Sequence, residues 1–256
     1  MKILVTNDDG YQSEGIEALI RALEAAGHEV WVCAPSVERS AFSHAMTLGH
    51  EVVLTEVAPM RFHCSGTPAD CILYGTRGNI FGALPDLVIS GINHGYNIST
   101  DILYSGTVAA AREAALANLP SIAVSCSRNE AGGFDFAQAA AFVIEHLDTF
   151  VSVASAESVI NINIPAGGNG RWKTALPAYL DYNDAFNHST FGEGERSLTL
   201  RLQGPVEPTQ RCDTQESDFQ VVRQGYASVT ALAILPPVNE AAQNRLATLN
   251  QERVHG

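Results

Sequence analysis

Apolar residues along this chain follow two rhythms. Short runs rich in branched side chains are too short for helices and read as buried strands: Lys2-Ile3-Leu4-Val5, His28 to Ala34 before Pro35, Leu84 to Ile89, Ser121 to Ser125, and Val159 to Ile164 before Pro165. Between them, apolar positions recur three and four apart. Ser13 is placed to cap a helix whose apolar face is Ile16, Leu19, Ile20 and Leu23, with Gly27 to end it. Alanine-rich Thr107 to Asn118 predicts a helix stopped before Pro120, and Asp135 to Thr149 sets Phe136, Ala140, Val143, Ile144 and Leu147 on one side. Such alternation predicts an α/β fold with a parallel, doubly wound sheet, whose ligands bind at the carboxyl ends of the strands.

Beyond residue 166 the rhythm changes. Gly167-Gly168-Asn169-Gly170 opens a polar region, and Ser197 to Leu202 alternates like a half-exposed strand. The expected organisation is a single domain of three parts: a core over 1–166, an arm or hairpin outside the main sheet over 167–213, and a return over 214–256. That return holds a strand, Gly225 to Leu232, and a closing helix from Asn239 to about Glu252 carrying Leu246 and Leu249.

Composition narrows the function. The chain has 256 residues, 46% hydrophobic and 17% charged, which suits one large globular domain. Its formal charge of −13 repels phosphodiester polymers, so long nucleic acid is not an expected partner, although a small phosphorylated substrate remains compatible. The five cysteines, Cys33, Cys64, Cys71, Cys126 and Cys212, form no C-x-x-C pair and predict reduced thiols. No run approaches a membrane span and no leader precedes the first strand, so the expected setting is cytoplasmic, without a membrane partner.

Candidate chemistry begins where the first strand ends, at Thr6-Asn7-Asp8-Asp9-Gly10. Adjacent carboxylates are costly to bury without a counter-charge, and a hard divalent cation would supply one; the alternative is a polar turn. Three more polar segments follow strands: Arg39 to His44, Ser90 to Asn97, and Tyr104-Ser105-Gly106-Thr107. The last opens a helix, where free amides and the helix dipole make an anion site; the alternative is a simple cap. Asn93 is a neutral oxygen donor suited to completing a Mg²⁺ or Mn²⁺ shell, or else a turn residue. His44 and His94 are candidate acids for the leaving alcohol or solvated loop histidines, and Tyr96 or Phe42 could stack on a base or pack a loop.

Together these segments resemble the SurE family of metal-dependent nucleotidases. The resemblance rests on N-D-D-G at 7–10, S-G-I-N at 90–93 and Y-S-G-T-V-A-A-A at 104–111, extended by Gly66 to Cys71, Asn161 to Pro165, and Gly225-Tyr226 with Ser228 and Thr230. It implies a Rossmann-like core and hydrolysis of nucleoside monophosphates, with the choice between 5′- and 3′-phosphates and the cleavage of short polyphosphate left open. It also implies one divalent metal per subunit, Mg²⁺ or Mn²⁺, on Asp8, Asp9, Ser40 and Asn93. Phosphate contacts would fall on Asn97, Ser105, Gly106 and Thr107, with Asp8, Asp9, Asn97 and Ser105 catalytic. Homodimers or homotetramers built partly by exchange of C-terminal segments are implied as well. The chain departs from the family at Ala41-Phe42, where glycine usually follows the ligand serine, and at Glu216-Ser217-Asp218, where Gly-Thr-Asp is commoner.

The chemistry expected is metal-assisted phosphomonoester hydrolysis, with Asp8 favoured over Asp9 as acceptor of the water's proton; a covalent aspartyl-phosphate is the competing route. A nucleotide-binding sensor without turnover is the alternative function. A nicotinamide dehydrogenase is weaker still, since the first strand–helix turn holds Gly10 alone and no G-x-G-x-x-G.

Overall fold

The computed structural model describes residues 1–182, 186–188, 200–202, 209–210 and 216–255. In chain order its first elements are β1 (Lys2–Thr6), α1 (Glu14–Ala25), β2 (Glu29–Pro35), β3 (Leu54–Ala58), β4 (Arg61–Cys64) and α2 (Pro68–Arg77). Then come β5 (Leu87–His94), a 3-10 turn (Ser99–Leu103), α3 (Gly106–Leu116), β6 (Ser121–Cys126), α4 (Phe136–Val153) and β7 (Ser158–Ile164). The remainder comprises β8 (Trp172–Thr174), β9 (Leu180–Asp181), β10 (Phe186–His188), β11 (Leu200–Leu202), β12 (Thr209–Gln210), α5 (Asp218–Arg223), β13 (Ala227–Ala233) and α6 (Glu240–His255).

Among the described residues nine strands form one mostly parallel sheet, ordered β3-β4-β2-β1-β5-β6-β7-β13-β8. Strand β3 runs antiparallel at one edge, and β13 runs antiparallel to β7. Helices cover both faces, which is why the middle strands read as continuous apolar runs. Ile16, Leu19, Ile20 and Leu23 of α1 join α4 in one core layer with Ile3, Val5 and Ile89. On the other face, α2 and α3 pack Ile72, Ala110 and Ala114 against Leu4 and Val88. Gly15 lets the first turn of α1 touch β5, since a Cβ there would lie 2.0 Å from the Ile92 carbonyl oxygen.

Several elements differ from the sequence expectation. The third strand starts at Leu87 and continues through Ser90-Gly91-Ile92-Asn93-His94, which sequence had placed in a loop. Pro85 has no N–H to give a ladder, and although the Asp86 N–H donates to the Lys2 carbonyl at 2.8 Å, the Lys2 N–H goes to the Asp86 carboxylate at 2.7 Å, so the regular register begins at Leu87. Helix α3 runs from Gly106 to Leu116, shorter than expected, and Asn118 turns left-handed with φ 62° behind it. Helix α4 extends to Val153. Ser13 sits at the N-cap position of α1 without a capping bond; its hydroxyl instead receives Asn7 Nδ2 at 2.8 Å.

Other elements were not foreseen. The edge pair β3 and β4 is largely exposed and lacks a clean alternation. Helix α2 buries small residues, Ala69, Cys71 and Gly75, which give little apolar rhythm, yet Thr67 and Asp70 form the capping box of its first turn. Short α5 is capped by Ser217. The buried Asp218 carboxylate accepts from Ser99 N at 2.6 Å and Ser99 Oγ at 2.5 Å, tying α5 to the 3-10 turn before α3.

In the region expected to be an arm, β10 pairs with β11 antiparallel, apart from the main sheet. Ser197 to Thr199 and Cys212 lie outside the described residues. Leu246 of α6 is 62% exposed, and the side chain of Leu249 lies outside the description. No helix among the described residues is long and apolar enough to cross a membrane.

Candidate metal and phosphate site

Four segments converge at the carboxyl edge of the sheet, and backbone bonds hold them together. Asp8 and Asp9 follow β1. The loop after β2 is fastened to them by Arg39 N–H donating to the Asp8 carbonyl at 2.7 Å, and Tyr11 N–H donates to the Pro35 carbonyl at 2.9 Å. The same loop reaches the start of α3 through Ser43 N–H to the Tyr104 carbonyl, 3.0 Å. Thr107 Oγ1 donates to Asp8 Oδ1 at 2.5 Å, and the His94 N–H at the end of β5 donates to Asp9 Oδ2 at 3.3 Å. Residues separated by a hundred positions in sequence thus meet around two carboxylates.

Asp8 is 3% exposed, and burial pushes its carboxyl up to about 6, helped by the charge of Asp9 and opposed by the bonds from Thr107. Among the described residues no lysine or arginine pairs with either Asp; the nearest partner is His94, whose Nδ1 lies 3.2 Å from Asp9 Oδ1. That bond raises the His94 pKa above its ordinary value, against partial burial. A carboxylate pair this deep without a strong cationic partner suits a divalent ion. Among the described residues no three His, Cys, Asp or Glu side chains gather on one point, so such an ion would complete its shell with neutral oxygens.

The predicted neutral ligands differ in placement. Asn93 Nδ2 is held by the Gly95 carbonyl at 3.0 Å, which fixes the amide's orientation. Ser40 is the most exposed of the four predicted ligands, and its hydroxyl bonds Glu38 Oε1 at 3.0 Å. In the predicted phosphate group, Ser105 caps α3 by accepting from Val108 N–H at 3.0 Å, which leaves its own proton to donate. The hydroxyl of Thr107, expected as a phosphate donor, is engaged by Asp8. Gly106 is required by close approach: a Cβ there would lie 2.8 Å from Asp8 Cβ and Oδ2. Asn97 is buried beneath, bonded to β6 and β7. Beside Asp9 opens a cleft of about 410 Å³, lined by Tyr11, Ser13, Glu14, Val37 and His94 among others.

Sequence reasoning separated the two loop histidines poorly. His94 faces Asp9 and rests on Phe134 and Phe136, with ring centroids 5.1 and 4.9 Å away. His44 turns from the carboxylates and bonds the buried Glu113 of α3 at 3.0 Å, so it latches the loop to the helix. Tyr96 packs with Ile98, Leu180 and Val222, while Phe42 is exposed with the Arg39 guanidinium 5.2 Å from its ring. The buried asparagines of β7, Asn161 and Asn163, were read as part of a buried strand and of the family resemblance, with no role at the site; two amides alternating inside a run of isoleucines was the available signal.

The two departures from the family pattern share a backbone signature. Ala41 has φ 61° and Glu216 has φ 68°, the left-handed region that favours glycine, the residue the family resemblance leads one to expect at both places. Each non-glycine residue here holds a strained turn.

Comparison with known proteins agrees with this architecture. The family model described as "Survival protein SurE" matches residues 3–181. A 5′-nucleotidase SurE of Geotalea uraniireducens is 37% identical over 250 residues, covering 91% of this chain and 92% of that one. One from an Anaeromyxobacter strain is 44% identical over 234 residues, covering 91% and 89%. The crystal structure of SurE from Aquifex aeolicus superposes with a TM-score of 0.81 at 27% identity, covering 98% of this chain and all of the other. Motif, topology and full-length similarity coincide, and the chain belongs to the SurE family.

Proposed function

We propose that this chain is a divalent-metal-dependent phosphohydrolase that releases phosphate from nucleoside 5′-monophosphates. The observation that carries the reading is the buried Asp8 beside Asp9, raised to about 6 and matched by no lysine or arginine among the described residues. The relatives named 5′-nucleotidase SurE support the reaction class.

Asp8, Asp9, Asn93 Oδ1 and Ser40 would hold one Mg²⁺ or Mn²⁺, both of which accept such oxygen donors. When bound there, such an ion would supply Lewis-acid polarisation of the phosphoryl group. The residues do the rest. Ser105 donates its hydroxyl, and Gly106 lets the positive end of α3 approach the phosphoryl oxygens, where negative charge accumulates. Asn97 adds a side-chain amide. Thr107 fixes the Asp8 rotamer through its hydroxyl, and His94 fixes Asp9. One of the two carboxylates accepts the proton of the attacking water through an oxygen the cation leaves free, with Asp8 favoured over Asp9. The cleft beside Asp9 gives the nucleoside its room. A cytoplasmic homo-oligomer is the assembly consistent with this reading.

The experiment is phosphate release from a panel of nucleoside monophosphates by metal-stripped protein, with and without Mn²⁺ or Mg²⁺. Nucleoside 3′-monophosphates and short polyphosphate carry the same terminal group and belong in that panel. Release that requires metal supports the hydrolase. Tight nucleotide binding without release under any metal would instead identify a sensor.

A further inference from the structure

Asn97 follows β5 by three residues, in a loop whose geometry no regular element dictates. Its position is set by side chains of other strands. The Asn97 N–H donates to Asn163 Oδ1 at 2.7 Å, and its carbonyl accepts from Asn161 Nδ2 at 2.8 Å and Asn163 Nδ2 at 3.2 Å. Asn163 therefore offers an acceptor and a donor to one residue, as a neighbouring strand's peptide groups would. These bonds also fix the Asn163 amide, because a flipped amide would set donor against donor and acceptor against acceptor. The side chain of Asn97 is held separately, by Nδ2 donating to Ser125 Oγ at 2.8 Å.

The strand register explains how these groups come together. Ser125 of β6 pairs with Asn163 of β7. Asn161 and Asn163 lie two and four residues beyond Val159, and Ser125 two beyond Ala123; Val159 and Ala123 pack on α3. All three polar side chains thus share the α3 face of the sheet. Each is fully buried, a costly place for an amide or hydroxyl unless its bonds serve something. Asn161 Oδ1 finds no hydrogen-bond partner among the described residues.

We propose that Asn163, Asn161 and Ser125 are positioning residues for phosphate recognition, which lock the Asn97 backbone and steer its amide towards the phosphoryl group. The inference rests on the reading that Asn97 contacts substrate phosphate. Asn161 and Asn163 fix where Asn97 stands. Ser125 anchors one end of its amide and, because a hydroxyl accepts from Nδ2 or donates to Oδ1, leaves the other end free to match the ligand. With a phosphate dianion bound, the amide turns so that Oδ1 accepts a hydrogen bond from the Ser125 hydroxyl and Nδ2 donates to the anion.

The test is steady-state phosphate release from a nucleoside monophosphate with saturating Mn²⁺, using Asn97→Ala, Asn163→Ala, Ser125→Ala and their pairwise combinations. Each single variant is expected to raise KM and lower kcat/KM by tenfold or more. Adding Asn163→Ala or Ser125→Ala to Asn97→Ala should change kcat/KM by less than twofold, because the steered amide is already gone. Hydrogen exchange at the Asn97 amide gives a readout independent of turnover: Asn163→Ala should accelerate it at least tenfold, and Ser125→Ala should not. If Asn163→Ala does not fold, Ser125→Ala alone decides, since it removes one hydroxyl and touches no backbone bond of Asn97. Single losses that multiply fully in the doubles, or a Ser125→Ala enzyme within twofold of wild type, overturn the positioning role while leaving Asn97 in the site. A fully active Asn97→Ala enzyme, or a wild type that releases no phosphate, instead removes the phosphate reading and the positioning role with it.

Discussion

Adding one methyl group to Gly106 probes the site where it is tightest. The Cβ of Gly106→Ala would stand 2.8 Å from both Asp8 Cβ and Asp8 Oδ2, and 3.1 Å from Pro68 Cγ. Carbon atoms prefer about 3.5–4.0 Å, so the overlap is roughly 0.7–1.2 Å. None of the near atoms yields easily: Asp8 Cβ continues the buried β1, and Pro68 is a ring at the first turn of α2. Either the start of α3 lifts by that distance or the Asp8 carboxylate swings away from Thr107. Overpacking of this kind costs about 1–3 kcal/mol, offset by up to about 1 kcal/mol from replacing glycine in a helix. The melting temperature should therefore fall by only a few degrees, at roughly 2–4 °C per kcal/mol for a chain of this size. A catalytic group displaced by about 1 Å loses on the order of a hundredfold in rate. Metal-dependent phosphate release and thermal unfolding of the same preparation read both numbers. A Gly106→Ala enzyme within twofold of wild-type kcat/KM would refute the claim that the helix start and Asp8 form one catalytic unit.

Three further outcomes follow from the geometry. In metal-stripped protein, Asp8 binds its proton more tightly when folded than unfolded, so wild-type stability declines as pH rises from about 4 to about 6 and then levels off. Asp8→Asn escapes this and should gain up to about 3 kcal/mol over wild type above pH 7, with no gain near pH 4; parallel urea-unfolding curves across that range would contradict it. Ala41→Gly and Glu216→Gly each relieve a left-handed non-glycine residue and should add about 1 kcal/mol, read as a small rise in melting temperature; no rise at either position would place the strain elsewhere. Thr107→Val removes the hydroxyl that Asp8 accepts and should lower kcat/KM about tenfold, the scale of a hydrogen bond to a charged group, whereas an unchanged profile would leave Thr107 a packing residue.

Much of the molecule was legible in the chain because parallel sheets bury their middle strands on both faces, which writes them as apolar runs. Strands β1, β6 and β7 are of this kind, and α1 shows the matching apolar face of a covering helix. The chemistry was legible for the opposite reason: Asp8, Asp9, Ser105 and Gly106 stand where a core has no use for them. Elements built from edge residues or small side chains left weaker marks. Exposed β3 carries no alternation, and α2 packs through alanine, cysteine and glycine, so its one clear signal was the Thr67–Asp70 capping box. Long-range polar contacts were hidden most completely. Nothing local distinguishes His44, which bonds Glu113, from His94, which bonds Asp9, because the difference lies in which strand each loop leaves. Asn161 and Asn163 look like a strand's alternation until the loop they hold is in place.

In this reading Asp8 and Asp9 bind the cation that switches hydrolysis on. The direct measurement is Mn²⁺ titration of metal-stripped protein, followed by electron paramagnetic resonance and by phosphate release in the same samples. One Mn²⁺ per chain, bound over the concentration range in which activity appears and lost in folded Asp9→Asn, is the predicted result. Activity that survives metal stripping, or Asp9→Asn binding Mn²⁺ as wild type does, would contradict the account.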